Sequence, residues 1–384
     1  MYSQKFLMNN NIPFSKPDIG DKERLALEKV LTSNKLSGGG EFTKKSEKII
    51  KELIGSKKVL LTSSCTHALE ISAILLDLKE GDEVIVPSYT FVSTALAFHM
   101  HGAKIRFADI NEKDLNIDTH KLCNLVNTRT RAVVPINYGG ISADYPKIND
   151  ILKNTDIKII EDNAHGIGAS NDGNPLGSQG DISCLSFHAS KNVTSGEGGA
   201  ICINNDEFLD RPEIIRDKGT NRAKFLLGEV EKYQWVDKGS NYLMSEINAS
   251  MLYEQLKRLE SINKNRKVIW HTYHDSLANI SQERNIQIHN LSPESSSSYH
   301  IFYLIMPSSK MAIDLIKFMK SNNIDCTFHY QPLHSSPYMQ LQGNKDECDV
   351  AERISKRIVR LPLYSGMKKE DTKRVIDCFH KFLD

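Results

Sequence analysis

The stretch "SFHASKNVTSGEGGA", Ser186 to Ala200, sets one lysine, Lys191, between an apolar run and a glycine-rich bend. An amine held just past a buried strand loses solvation, and desolvation lowers its pKa from the ordinary ~10.4 toward the range where it is a nucleophile able to form a Schiff base. The alternative is a solvated surface lysine. Three further stretches hold side chains of chemical interest. In "LLTSSCTHALE" a strand-like run passes through a small polar loop into a helix whose opening turn carries Thr66 and His67. Free amides, the helix dipole and the hydroxyls of Ser64 and Thr66 suit an anion, phosphate above all, although a simple Ser/Thr cap has the same sequence. "IKIIEDNAHG" ends an apolar run in Glu161 and Asp162, with His165 three residues beyond Asp162. A carboxylate there could bind metal, cap a helix or pair with a ring nitrogen that must stay protonated. "PSYTFVST" puts Tyr89 and Phe91 at the head of a helix, as core aromatics or as a face offered to a flat ring.

Only the combination discriminates. A phosphate cradle, a carboxylate for a ring nitrogen, a Schiff-base lysine and a stacking aromatic are together the requirements of pyridoxal phosphate. No G-x-G-x-x-G or G-x-x-x-x-G-K-[ST] fingerprint is present, so dinucleotide and nucleoside triphosphate folds lack their signal. His99 and His101 form an H-x-H pair, but on a helix they point to different faces, and no metal is expected.

These side chains need elements to position them. "KKVLLT", "EVIVP", "KIRFAD", "RAVVPIN", "IKIIED", "ISCLSF" and "GAICIN" are short apolar, β-branched runs, several separated by helical segments such as "THALEISAILLDL" and "FVSTALAFHMHG". That alternation predicts an α/β domain with a largely parallel buried sheet, in which ligands bind beyond the carboxyl ends of the strands. A helix is expected from Met244 to about Ala278 as a connector, followed by a smaller α+β domain. The expected division is 1–250 for the large domain and 251–384 for the connecting helix and small domain. "SPESSSSYH" at 292–300 reads as a mobile loop.

Bulk properties exclude some classes. With 49 Lys+Arg against 48 Asp+Glu the net charge is +1, so no one-signed field exists to hold nucleic acid or an anionic membrane. No window reaches the ~18 apolar residues of a spanning helix. The opening "MYSQKFLMNNNIPF" lacks the apolar core of a signal peptide and reads as an unprocessed cytosolic start. Seven scattered cysteines, none spaced C-x-x-C, argue against a disulfide framework or zinc site.

The ordered motifs "TSSCTHALE", "PSYTFVST", "EDNAHG", "SFHASKNVTSGEGGA", "KGSNYLMSEINA" and "FHYQPLH" resemble the DegT/DnrJ/StrS family of sugar aminotransferases, on the aspartate-aminotransferase-like fold of pyridoxal phosphate enzymes (fold type I). The resemblance runs from about Ile12 to the C-terminus. It implies that Lys191 anchors the cofactor, that Asp162 pairs with the ring nitrogen, and that His165 lies near the ring. It further implies that Phe91 stacks on the ring, and that Thr66 and Ser186, with the backbone around Cys65 and His67, hold the phosphate. Asn241 matches a residue reaching the phosphate from the neighbouring subunit, which implies a homodimer. Two departures are Cys65, where many members have Gly, and Asn163, where many have Ala. Relatives with histidine in place of the lysine are dehydratases; Lys191 implies transamination.

Within the family, "EIIRDKGTNRAKFLLGEVEKYQWVDKGSNYLMS" and "FHYQPLH" resemble members that convert dTDP-4-dehydro-6-deoxy-D-glucose and L-glutamate to dTDP-4-amino-4,6-dideoxy-D-galactose and 2-oxoglutarate. Arg222, His329, Tyr330, Tyr233 and Tyr242 are the candidates for contact with the nucleotide sugar. The implied setting is cytoplasmic synthesis of a deoxyaminosugar for a surface polysaccharide. The rival readings are a 3-aminotransferase, a GDP- or UDP-sugar aminotransferase, a non-catalytic cofactor-binding regulator and, last, a dehydrogenase.

Overall fold

The apolar, β-branched runs of the sequence become strands with both faces covered. The computed structural model describes residues 11–291 and 295–384. In chain order the strands are β1 (Lys58–Thr62), β2 (Glu83–Pro87), β3 (Lys104–Ala108), β4 (Thr130–Val133), β5 (Lys158–Asp162), β6 (Ser170–Asn171), β7 (Asn174–Pro175), β8 (Ile182–Ser186), β9 (Gly199–Ile203), β10 (Gln287–Ile288), β11 (Ser295–Ser296), β12 (Phe302–Ile305) and β13 (Ile358–Leu361). Seven form one sheet in the order β1-β9-β8-β5-β4-β2-β3. Adjacent strands from β8 to β3 are parallel, whereas β9 runs antiparallel to both β8 and β1. The expected sheet is therefore present with one strand reversed.

Helices cover it on both sides. Helix Cys65–Leu75 buries Leu69, Ile71 and Leu75 and packs on β8 and β9. It begins where it does because Ser64, in extended backbone, accepts the His67 amide at 3.1 Å. Opposite, Ile50 and Ile54 of helix Glu41–Ile54 pack with Leu61, Phe187, Met244 and Leu252.

A second, antiparallel sheet, β10-β12-β13, carries its own core of Trp270, Tyr273, Phe302, Leu315 and Phe379. Its other side joins the first: Ile301, Tyr303 and Ile305 share a cluster with Ile136 and Tyr138, just beyond β4. The carboxyl ends of β5 and β8 thus face the small sheet, and the space between is the cavity described below.

Two expectations are corrected. The single long helix from Met244 is two helices, Glu246–Lys257 and Leu259–Glu283, broken at Arg258. The break has a partner: Arg258 donates to the Asp18 carbonyl at 2.7 Å and pairs with Glu23 at 3.3 Å. The stretch expected to be a mobile loop is ordered where it is described. Ser295–Ser296 pairs with Ser170–Asn171, and Ser297 to His300 are buried. Residues 292–294 of that stretch, and residues 1–10 of the N-terminal reading, lie outside the described residues.

Candidate functional site

A cavity of about 800 Å³ opens between the carboxyl ends of the large sheet and the small sheet. Cys65, Thr66, Phe91, Asp162, His165, Ser186, Lys191, His329 and Tyr330 line it, brought together from nine sequence positions on both sheets and their loops.

Lys191 sits between β8 and β9, where Ser186 and Gly199 pair in register, so both ends of its loop are pinned. Its backbone amide donates to the His188 carbonyl at 2.9 Å, closing the turn that presents the side chain. Burial lowers the amine to about 8, with Arg360 adding to the fall and the charge of Asp162 opposing it. A substantial fraction of the amine is therefore neutral near physiological pH.

Asp162 ends β5 and is 5% exposed. Its Oδ2 accepts the Thr94 hydroxyl at 2.7 Å and its Oδ1 the Ala164 amide at 3.2 Å. Burial pushes the carboxyl above its ordinary range, while Thr94, Ala164 and Lys191 pull it down. Next to it Glu161, fully buried, accepts the amides of Gly177, Gln179 and Gly180 together with Asn137 and Tyr145. That carboxylate is structural: it gathers a loop, whereas Asp162 is the one that lines the cavity.

The end of the cavity suited to an anion is the start of helix Cys65–Leu75. Ser64, Cys65 and Thr66 line the cavity at the positive end of the helix, and Ser186 lies on the adjoining strand end. Thr66 Oγ1 is 2.8 Å from Ser93 Oγ. Gly199 makes the arrangement possible, since a Cβ on it would lie 2.4 Å from the Cys65 amide nitrogen and from the Ser64 carbonyl carbon. The glycine of "SGEGGA" that matters here therefore supports the anion loop from behind rather than bending the lysine loop.

The far wall is aromatic. His329 and Tyr330 stack at 3.6 Å between centroids, Tyr330 Oη lies 3.4 Å from His165 Nε2, and His165 sits 4.4 Å from His300. The Gly139 amide points at His165 Nδ1 at 3.2 Å, making that nitrogen the acceptor. Burial and the nearby cations Lys191 and Arg360 hold His165, His300 and His329 well below the usual histidine range, so all three are neutral. Phe91, 57% exposed, stands at the head of helix Val92–Met100.

Other candidates lie elsewhere. His67 is not a lining residue; its ring bonds Ser63 Oγ at 2.6 Å and packs on Tyr242. Tyr89 is core. Arg222 pairs with Asp217 at 3.5 Å, and Tyr233 is exposed. Asn241 is exposed and bridges Asp217 through the backbone. His99 bonds the Tyr338 hydroxyl at 3.0 Å. The lining residues that were not anticipated include Arg360, Arg266, His300 and Thr94. Arg360 had a signal, a single charge inside the apolar run "IVRLPL".

The profile of the DegT/DnrJ/EryC1/StrS aminotransferase family matches residues 17–380. The chain belongs to that family. It is 32% identical over 378 residues to the spore coat polysaccharide biosynthesis protein SpsC of Bacillus subtilis, covering 96% of each chain. Among solved structures it is similar to Spr1654 of Streptococcus pneumoniae, a proposed sugar aminotransferase. The PMP form has 27% identity and a TM-score of 0.89 over 97% of this chain and 99% of the other. The PLP form of Spr1654 gives the same TM-score at 26% identity, over 97% of this chain and 98% of the other. It is also similar to the aminotransferase TlmJ of Streptoalloteichus hindustanus, at 27% identity and a TM-score of 0.89 over 97% of this chain and 98% of the other. Membership makes the chain a pyridoxal phosphate-dependent sugar aminotransferase of fold type I. Among the described residues no helix is long and apolar enough to cross a membrane.

Proposed function

We propose that the chain transfers the amino group of L-glutamate to C4 of dTDP-4-dehydro-6-deoxy-D-glucose, giving dTDP-4-amino-4,6-dideoxy-D-galactose and 2-oxoglutarate in the cytoplasm. The observation that carries the reaction type is the meeting of Lys191, Asp162 and the start of helix Cys65–Leu75 in one cavity. The sugar and the donor rest on the resemblance of the "GTNR" and "FHYQPLH" regions described above.

The residues fit the cofactor. Lys191 would bond it, Asp162 would face the ring nitrogen, Ser64 to Thr66 and Ser186 would hold the phosphate, and Phe91 and His165 would border the ring. A buried carboxyl whose charge costs desolvation is stabilised by a protonated ring nitrogen, and an anion offsets the cationic wall. Pyridoxal phosphate supplies a carbonyl for amines and a ring that accepts electrons. The remaining work belongs to the side chains. Lys191 Nζ, neutral and mobile once released, takes the proton from the donor's α-carbon and returns one to C4 of the sugar in the opposite half-reaction. Thr94 keeps Asp162 charged and oriented. Neutral His165, which accepts from Gly139, adds no cation of its own to compete with the ring nitrogen for Asp162. The two half-reactions predict ping-pong kinetics.

A homodimer is part of the proposal. Leu226, Leu227 and Trp235 are 69%, 73% and 83% exposed on the segment that leads to Asn241, an apolar surface suited to a second copy. Incubating the purified protein with glutamate and a panel of 3-oxo and 4-oxo sugars linked to dTDP, UDP or GDP, with products read by mass, tests the assignment. A product from any sugar other than the dTDP 4-oxo compound alone would overturn it.

A further inference from the structure

Three histidines that line the cavity, His165, His300 and His329, are neutral, and their partners decide which ring nitrogen carries the proton. His165 accepts from Gly139 at Nδ1, so its proton is on Nε2, toward Tyr330. His329 Nδ1 lies 2.7 Å from the Tyr138 hydroxyl, a group that gives or takes a hydrogen bond. His300 is fixed in the opposite sense to His165, and what fixes it is the residue after Lys191.

That residue is Asn192, 7% exposed. Its Nδ2 donates to the Ser298 carbonyl at 2.7 Å and to Asn263 Oδ1 at 2.8 Å. A backbone carbonyl only accepts, so the amide has one orientation, and its Oδ1 is the acceptor 2.9 Å from His300 Nδ1. The His300 proton is therefore on Nδ1, and Nε2 keeps a lone pair with no protein partner among the described residues. The backbone around His300 holds this pose. Tyr299 lies in the left-handed region at φ 52°, which a bulky residue adopts when its surroundings impose it. Its amide donates to Ser297 Oγ at 3.0 Å, and Arg266 donates to the carbonyls of Tyr299 and His300. Asn263 and Arg266, three residues apart, do this from one turn of helix Leu259–Glu283.

Lys191 has to carry a proton for part of each half-reaction, in a cavity where burial makes an ammonium costly. Asp162 on β5 is committed to Thr94 and Ala164, and burial keeps the Cys65 thiol protonated at the head of its helix. Arg360 on β13 and Arg266 are cations, and Glu197 stands at the rim, its side chain 70% exposed and 3.7 Å from His188 Nε2. His300 Nε2 is the buried acceptor that its partners fix and leave open. The inference rests on the aminotransferase reading of this cavity. We propose that Asn192 is a positioning residue for the reaction: by fixing the His300 proton on Nδ1, it makes His300 Nε2 the acceptor for an N–H of the protonated Lys191 amine. The proton taken from the donor's α-carbon stays on Lys191 Nζ and His300 stays neutral. With the proton on Nε2 instead, His300 would turn an N–H toward the ammonium and oppose it.

The first readout is the pH midpoint of Lys191 acylation in cofactor-free protein, which needs no turnover. His300→Phe removes the lone pair and is expected to move the midpoint down, from about 8 in wild type to about 7. A merely structural loss that admits water would move it the other way, toward an ordinary lysine. His300→Gln, with a donor for Asn192 and an acceptor for the cavity, is expected to keep the wild-type midpoint. Asn192→Leu should lower the midpoint as His300→Phe does, and the double variant should fall no further, since the first acts through the second. In cofactor-loaded enzyme, followed by absorbance, His300→Phe should lower the rate of the glutamate half-reaction by about tenfold and leave the apparent glutamate affinity unchanged. A midpoint that stays or rises in His300→Phe, or additive effects in the double variant, would overturn the proposal. If His300→Phe does not fold, nitrogen NMR of histidine-labelled wild type carries the test. The expected state has Nδ1 protonated and an Nε2 signal that changes in Lys191→Met; a proton on Nε2, or no change, overturns it. Should wild-type enzyme, loaded with cofactor, take no amine from any amino acid, the aminotransferase reading would fail instead, whatever the midpoints.

Discussion

The Thr94 hydroxyl donates to Asp162 Oδ2 at 2.7 Å, tying the first turn of helix Val92–Met100 to the carboxyl end of β5. The bond stabilises the charged form of a carboxyl that burial pushes the other way. Thr94→Val removes the donor and keeps the shape, so the carboxyl's pKa rises further. On the proposed role of Asp162 activity requires the carboxylate, and the acid limb of the kcat/KM profile is therefore expected to move to higher pH, with a loss of about tenfold at neutral pH. An unmoved limb would count against the coupling.

Lys191→Ala is expected to abolish turnover and the visible absorbance of the lysine-bound cofactor. Both are read on the purified variant after addition of pyridoxal phosphate. Retained turnover would remove Lys191 from the reaction.

Asp162→Asn should still take up cofactor, because the phosphate contacts and Lys191 are intact, yet lose about 10²–10³ in kcat as the preorganised charge disappears. Steady-state kinetics at saturating cofactor measure this. A near-normal rate would mean that another group faces the ring nitrogen.

The Lys191 amine, lowered to about 8, should be acylated in cofactor-free protein with a pH midpoint near that value rather than at 10.5. Peptide mass mapping after timed labelling at a series of pH values gives the midpoint. The sign for stability follows from the same shift. Between about 8 and 10.5 the unfolded chain holds a proton that the folded chain has released, so this group's contribution to cofactor-free stability increases as pH rises through that window. Below it, the cost of the buried charge is fully present.

Gly199→Ala would place a methyl carbon 2.4 Å from the Cys65 amide nitrogen. Backbone must shift, and the expected result is a loss of about 1–3 kcal/mol of stability together with weaker cofactor binding. Thermal unfolding and a cofactor titration measure the two effects; wild-type behaviour in both would show that the loop does not depend on that close approach.

Much of the fold is legible in the sequence because buried strands are written as apolar runs such as "KIIED" and "GAICI", and their polar ends mark where ligands bind. Strand direction is not written there. An apolar run reads the same either way, so β9's reversal becomes visible only through its pairing with Ser183 and Cys184. The break at Arg258 carries no Gly or Pro; its cause is a contact with Asp18 and Glu23, far away in sequence. Ser297 to His300 look like a solvated loop by composition, yet they are buried, with the carbonyls of Ser298, Tyr299 and His300 satisfied by Asn192 and Arg266. Local pattern reveals elements and motifs, while partners at long range decide which polar residues go inside.

The contact of Phe14 with Arg360 joins positions near the two ends of the chain across one cavity wall. Asp162, at the end of β5, and Lys191, in the loop between β8 and β9, lie midway, on a part of the chain completed by residue 203. A polypeptide stopped short of β13 would still possess both and would lack the surface opposite them. The two sides of the cavity are thus written in separate stretches of the chain, one in its middle and the other near its ends.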